Sequence, residues 1–126
     1  MIVVDASVII DALLGNKVVE AAVAGRVLHA PVSVDAEVLH GLRHAWFAGM
    51  LKAEEGDSLI VILRDLTIIR HSVQPFVSRM WTLRHNISAY DAGYVALAES
   101  LNMPLLTRDA RLSRSSGHTA RIEYIA

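Results

Sequence analysis

The 126-residue chain contains no cysteine, only three prolines, and few aromatic residues, which make up 6% of the sequence. The lack of cysteine excludes disulfides and thiolate metal sites, so any metal ion must be bound by oxygen or imidazole ligands. Long apolar runs are also missing, because the densest, Leu59 to Leu63, is bracketed by Asp57 and Arg64. A membrane span needs about 20 apolar residues. The sequence therefore predicts no contact with a membrane.

The chain also lacks an excess of charge of either sign, with 12 Lys and Arg against 13 Asp and Glu and a net charge of −1. This balance excludes binding of nucleic acid by overall basic charge alone. Arg108, Arg111 and Arg114 recur at every third position, close to one side of a helix. That spacing suits a solvated helix face as well as a contact with a nucleic-acid backbone. The N-terminus lacks the basic start and cleavage site of a signal peptide, so we expect a cytoplasmic protein.

Hydrophobic residues are abundant at 53%, and the mean hydropathy is +0.39. Such a composition favours a large core or apolar surface kept for a protein partner or a second copy of the chain. The length suits one domain covering residues 1–126. We interpret Trp46 and Phe47 as core residues at the end of a helix. The alternative is that they form a partner surface together with Trp81.

The apolar periodicity predicts short strands that alternate with helices. The expected strands cover residues 1–4, 27–28, 67–70, 104–106 and 122–125, and the expected helices cover 8–13, 18–24, 34–47, 52–63, 75–85 and 88–101, with a further short helix from Asp109. This order predicts an α/β fold, a three-layer α/β/α sandwich with a central parallel sheet of about five strands. In such sheets ligands bind beyond the carboxyl ends of the strands.

Four carboxylates stand after strands or in the first turns of helices: Asp5, Glu37, Asp91 and Asp109. Each could serve only as a helix cap or as a partner of a helix dipole. Asp91, however, shares a helix stripe with Val95 and Ala98, which should face the sheet. An acid directed inward needs a reason, because burying an unpaired carboxylate is costly. We interpret Asp11, by contrast, as an ordinary exposed helix residue.

The predicted fold would bring several of these acids to one end of the sheet. Like charges about 5 Å apart repel by roughly 3 kcal/mol per pair at an effective dielectric near 20, whereas a helix cap contributes only about 1 kcal/mol. Capping alone does not offset this repulsion, but a divalent cation does. Oxygen ligands favour Mg²⁺ or Mn²⁺. A metal held in this way, with positions open to water and phosphate, suits hydrolysis of phosphodiesters.

Three segments carry a resemblance to a known family: IVVDASVIIDALLG, AEVLHGLR and SAYDAGYVALAESLNMPLLTRDARL. Over essentially the whole chain they resemble the PIN-domain ribonucleases, and specifically the VapC toxins of type II toxin-antitoxin pairs. The resemblance implies a Mg²⁺- or Mn²⁺-dependent endoribonuclease. Its metal-binding and catalytic residues would be Asp5, Glu37, Asp91 and Asp109, with Ser7 and Thr107 in supporting positions.

The resemblance also implies a homodimer that cleaves RNA and is inhibited by an antitoxin encoded nearby. We expect Arg108 or Arg111 to help hold the RNA backbone, and the helices of residues 43–63 to form the dimer interface. Some relatives carry a further acid or asparagine shortly after the last aspartate, where this chain has Arg111 and Ser113. The number of metal ions, one or two, therefore stays open.

Two other functions fit the same sequence. One is a PIN nuclease that processes RNA and is not a toxin, and the other is a catalytically inactive PIN-like module that binds a protein. A phosphatase with an aspartate nucleophile would carry a second acid two residues later, where this chain has Ser7. Nucleotide binding has no support, because the chain has neither a P-loop nor a GxGxxG motif.

Overall fold

The computed structural model describes residues 1–126 and contains one five-stranded sheet. Its strands are β1 (Ile2–Val4), β2 (Leu28–Pro31), β3 (Ile68–His71), β4 (Leu105–Thr107) and β5 (Ile122–Tyr124). They lie in the order β3-β2-β1-β4-β5, and every neighbouring pair is parallel. Parallel neighbours need crossover connections, and the helices between the strands provide them.

Seven α-helices surround the sheet: α1 (Ala6–Leu13), α2 (Lys17–Val23), α3 (Val34–Phe47), α4 (Ala53–Asp65), α5 (Val77–Thr82), α6 (Ala89–Leu101) and α7 (Ala110–Ser113). Helices α1 to α4 contact one another, whereas α6 packs on α5 and against β1, β2 and β4. This arrangement confirms the predicted α/β/α sandwich. None of the helices combines the length and the apolar character that crossing a bilayer would require.

Burial explains where the site elements lie. All three residues of β1 are buried, and α6 is buried continuously from Ala92 to Ala98, as expected for a helix that is apolar on all sides. Helix α3 packs against α1 at Gly41, where a Cβ atom would come within 2.3 Å of the Ile10 Cδ1 atom. The absence of that Cβ allows the middle of α3 to approach α1 closely.

Two elements differ from the sequence-based expectation. Strand β2 runs on to Pro31, two residues past the segment that pairs with β1, so the missing proline N–H is tolerated there. The expected helix of residues 75–85 is a 3₁₀ turn, Gln74–Phe76, followed by α5, which already ends at Thr82. The other boundaries differ by at most two residues.

The interpretation of Trp46 and Phe47 as core residues is wrong. Their side chains are 47% and 65% exposed. Their rings contact each other edge to face, and the Arg43 guanidinium lies 4.6 Å from the Phe47 ring centroid. The buried stripe of α3 ends at Ala45, so the last two residues of the helix, both aromatic, project beyond the core.

Candidate active site

The candidate active site lies at the carboxyl ends of β1 and β4, where the strand order changes direction. Open parallel sheets bind ligands at such switch points. Asp5 directly follows β1, and Asp109 follows β4 after one intervening residue. Glu37 lies in the first turn of α3, and Asp91 in the first turn of α6. We call these four residues the carboxylate cluster.

Asp5 is the buried member of the cluster, with 5% of its surface exposed. The Ser7 hydroxyl donates to its Oδ1 atom at 2.5 Å, the Val8 N–H donates to the same atom at 3.2 Å, and the Thr107 hydroxyl donates to Oδ2. The same two hydroxyl oxygens accept backbone N–H groups of the β4 loop, Ser7 from Arg108 and Thr107 from Asp109, each at 3.0 Å. Ser7 and Thr107 therefore lie beside Asp5 and join it to the β4 loop.

Glu37 is held by two hydroxyl groups, of which the sequence interpretation named neither. Ser33 donates to its Oε2 atom at 2.8 Å and Tyr94 at 3.1 Å, and no protein group donates to Oε1. Tyr94 is completely buried on α6, one turn after Asp91. A buried tyrosine hydroxyl usually needs a hydrogen-bond partner. Tyr94 lies one turn after Asp91 on an apolar helix, and this position was the signal that could have identified it as part of the site.

Asp91 and Asp109 face each other across a cleft of about 350 Å³, which we call the polar cleft. Its other lining residues are Asn86, Ile87, Ser88, Arg111 and Leu112. The Asp109 Oδ1 atom caps α7 by accepting the N–H groups of Arg111, at 2.8 Å, and Leu112, at 3.4 Å. No protein group donates to the Asp109 Oδ2 atom. Ser88 caps α6 by accepting the Asp91 N–H at 3.1 Å.

The pKa values show that the four acids interact electrostatically. Burial is the main cause that raises the pKa of Asp5, Glu37 and Asp91. The charge of Asp91 further raises the pKa of Asp5 and of Glu37, and the charge of Asp109 raises the pKa of Asp91. Arg111 acts in the opposite direction on the Asp91 pKa. The cluster is therefore a partly buried concentration of negative charge.

The donor atoms of the cluster fit a hard divalent cation, because they are all carboxylate oxygens and their mutual repulsion would be relieved by positive charge. No three Asp, Glu or His side chains, however, lie close enough together to hold an ion by themselves. Mg²⁺ commonly binds through one or two carboxylates and completes its shell with water and phosphate oxygens. The open Glu37 Oε1 and Asp109 Oδ2 atoms suit this mode.

The arginines near the cluster do not share one helix face, because α7 begins only at Ala110. The Arg108 Nε atom donates to the Asp11 Oδ2 atom at 2.8 Å, and its Nη1 atom donates to the Ala126 carbonyl at 2.5 Å. Asp11 is thus half-buried and ion-paired, so its interpretation as an ordinary exposed residue is wrong. Arg111 is exposed and lines the polar cleft.

Comparisons with known proteins agree with this arrangement. The family model described as the PIN domain matches residues 2–117. VapC ribonuclease Mb0985 of Mycobacterium bovis and ribonuclease VapC9 of Mycobacterium tuberculosis are each 44% identical to the chain over 113 residues, which cover 90% of this chain and 89% of each relative. Ribonuclease VapC12 of Mycobacterium tuberculosis is 37% identical over 100% of both chains.

A solved structure described as a toxin-antitoxin complex from Klebsiella pneumoniae superposes on the chain with a TM-score of 0.66. The match covers 90% of this chain and 91% of the other at 17% sequence identity. At that identity the likeness supports the fold alone.

Proposed function

The chain belongs to the PIN-domain family as a VapC-type member, and from that membership we propose that it is a hydrolytic endoribonuclease acting as the toxin of a toxin-antitoxin pair. The observation that carries the proposal is the carboxylate cluster at the switch point of the sheet. The relatives that are 37% to 44% identical to the chain are named as ribonucleases, which fixes the reaction class.

The proposed cofactor is a divalent metal ion, Mg²⁺ or Mn²⁺, held in the cluster of Asp5, Glu37, Asp91 and Asp109, by one or two carboxylates directly and by the others through water or substrate oxygens. Bound there, the ion supplies charge stabilisation at the phosphate and favours deprotonation of a water molecule. Two carboxylate oxygens are open to the ion or to water, because no protein group donates to them. They are the Glu37 Oε1 and Asp109 Oδ2 atoms.

The chain's own groups have separate tasks in this proposal. Ser7 and Thr107 fix the orientation of the Asp5 carboxylate, and Tyr94 with Ser33 does the same for Glu37. Arg111 lines the polar cleft near Asp91 and its guanidinium donates no hydrogen bond within the protein, so it is available to an RNA phosphate. Arg108 is engaged by Asp11, so its support for RNA binding is weaker.

The proposed partners are a cognate antitoxin and an RNA substrate, and we propose a homodimer in the cytoplasm built from this one nuclease domain. Exposed apolar side chains support a partner surface. Helix α4 exposes Ile60, Val61 and Ile62, and α3 ends in the exposed Trp46 and Phe47. These residues fall within, or next to, the interface expected around residues 43–63.

The test is cleavage of RNA by purified protein, with RNA ends mapped by sequencing. The parent chain should cleave with millimolar Mg²⁺ or Mn²⁺ and not with chelator. Asp5→Asn should lose activity by about 10²-fold or more, since groups that merely orient metal ligands already contribute 10- to 100-fold. Asp65→Asn removes an exposed acid at the end of α4 and is the matched control, with activity like the parent.

Equal cleavage by the parent and the Asp5→Asn variant would contradict the site assignment. Expression of the parent without antitoxin should also arrest growth, and the Asp5→Asn variant should not. An inactive protein-binding module would instead show neither cleavage nor heat of binding in a titration with millimolar Mg²⁺ or Mn²⁺.

A further inference from the structure

A second cleft borders the carboxylate cluster at Glu37 and shares no residue with the polar cleft. It has a volume of about 620 Å³, within the range of about 300 to 1,000 Å³ that is typical of small-molecule sites. Three elements form it, namely the start of α1, the first turns of α3 and the start of α6. Its lining residues are Ala6, Ile10, Ala36, Glu37, His40, Gly41 and Tyr90. We call it the apolar cleft.

The apolar cleft offers a phosphate no lysine or arginine, and its one carboxylate is that of Glu37. A phosphate placed there would meet a like charge without compensation. The polar cleft also contains two carboxylates, Asp91 and Asp109, but its Arg111 is a cation that can pair with a phosphate. The two clefts on either side of the cluster therefore suit different parts of one nucleotide chain, the backbone in the polar cleft and an uncharged ring in the apolar cleft.

The apolar cleft offers such a ring an aromatic surface. Tyr90 directly precedes Asp91, is 66% exposed and has no hydrogen-bonded partner in the protein, so its ring is open to a ligand. Unstacked RNA bases commonly stack on exposed aromatic side chains. The Tyr90 hydroxyl and the exposed His40 imidazole are polar groups that a base edge can meet.

We propose that the apolar cleft is a nucleobase subsite, in which a base flanking the scissile phosphate stacks on Tyr90 beside the carboxylate cluster. This inference rests on the proposed ribonuclease function. It assigns Tyr90 to substrate binding and to no part of the chemical step.

The test uses the shortest RNA that the parent chain cleaves, together with versions of that RNA carrying one abasic nucleotide at each position around the cleavage point. Tyr90→Ala should raise KM about 5-fold to 150-fold, the equivalent of one lost base stack, and leave kcat nearly unchanged. Tyr90→Phe should keep the KM of the parent because it keeps the ring. Tyr124→Ala, which removes a 47% exposed ring from β5 outside both clefts, is the control and should not change KM.

One abasic position should raise the KM of the parent by a similar factor, and Tyr90→Ala should add nothing further on that RNA. The proposal is overturned if Tyr90→Ala has the KM of the parent, or if its effect is the same on every abasic RNA. It is also overturned if Tyr90→Ala only relieves inhibition by the antitoxin, which would make the cleft an antitoxin site. A parent chain that cleaves no RNA would overturn the ribonuclease function itself, and the subsite with it.

Discussion

The ion pair between Arg79 and Glu99 predicts how the stability of the fold depends on pH. The Arg79 Nε and Nη2 atoms each donate to a different Glu99 carboxylate oxygen at 2.9 Å. The N–H and hydroxyl groups of Thr119 donate to the Glu99 Oε2 atom at 2.9 and 3.0 Å. The pair therefore connects α5, α6 and the segment that leads into β5. Arg79 is the main cause that lowers the Glu99 pKa from 4.5 to about 2.

The perturbation is Glu99→Gln, which removes the charge and keeps the shape. A pKa lowered from 4.5 to about 2 corresponds to at most about 3 kcal/mol of stability at neutral pH, at about 1.36 kcal/mol per pKa unit. The Glu99 side chain is 14% exposed but that of Arg79 is 40% exposed, so solvent screens the pair. We expect a loss of about 1.5 kcal/mol, or roughly 6 °C in the melting temperature of a domain of this size.

The sign of the pH dependence follows from the direction of the shift. Because the folded-state pKa of Glu99 is lowered, its stabilisation is present above the unfolded pKa of 4.5 and is lost as the pH falls through about 2. The difference in stability between the parent and Glu99→Gln should thus shrink by more than half between pH 7 and pH 3.

The assay is urea unfolding followed by circular dichroism at pH 7, 4 and 3. Glu54→Gln, which removes a charge from the exposed face of α4, is the control and should change stability by less than about 0.5 kcal/mol. A difference between the parent and Glu99→Gln that stays constant from pH 7 to pH 3 would refute the reasoning.

Two further predictions concern the carboxylate cluster. Tyr94→Phe removes one of the two hydroxyls that hold Glu37 and should lower kcat about tenfold with little change in KM. Single-turnover kinetics can measure this effect. An unchanged kcat would show that Ser33 alone orients Glu37. Asp91→Asn should melt about 4 °C higher than the parent in chelator, because it removes the cost of burying the charge and its repulsion by Asp109, about 1 kcal/mol in total. The gain should shrink as the pH falls through the raised pKa of Asp91 and be lost below the ordinary value of 3.8. Added Mg²⁺ should stabilise the parent and not Asp91→Asn, and a lower melting temperature of this variant in chelator would contradict the repulsion.

The sequence was sufficient to place the four acids because each follows a strand or begins a helix that has a clear apolar pattern. From the sequence, helix capping and a metal-binding cluster are alternative roles for these acids. A cap by itself is too weak to offset the repulsion between clustered carboxylates. The structure contains both. Asp5 accepts the Val8 N–H at the start of α1, and Asp109 caps α7, while the same carboxylates interact with Asp91 or with its neighbours. One carboxylate has enough lone pairs for a cap and for a further ligand.

Contacts between residues distant in the sequence could not be predicted. Asp11 and Arg108 are separated by 97 positions, and Tyr94 and Glu37 by 57. The apolar pattern tells which face of each helix is buried, but it contains no information on which polar side chains meet at the edge of that face. The length of strand β2 was underestimated for a similar reason. Its buried His29 is hydrogen-bonded to His71 on β3, a contact that the apolar pattern does not indicate.

The two hydroxyls beside Asp5 also determine how much conformational freedom a ligand must remove. Ser7 and Thr107 each accept a backbone N–H, so the proton of each hydroxyl is left to point at Asp5, one at each carboxylate oxygen. The Asp5 rotamer is thereby fixed in the free protein. A ligand that binds here does not have to order this side chain, because its conformational entropy was already lost on folding. The preorganisation of the site is thus a property of two small side chains that never need to touch the ligand.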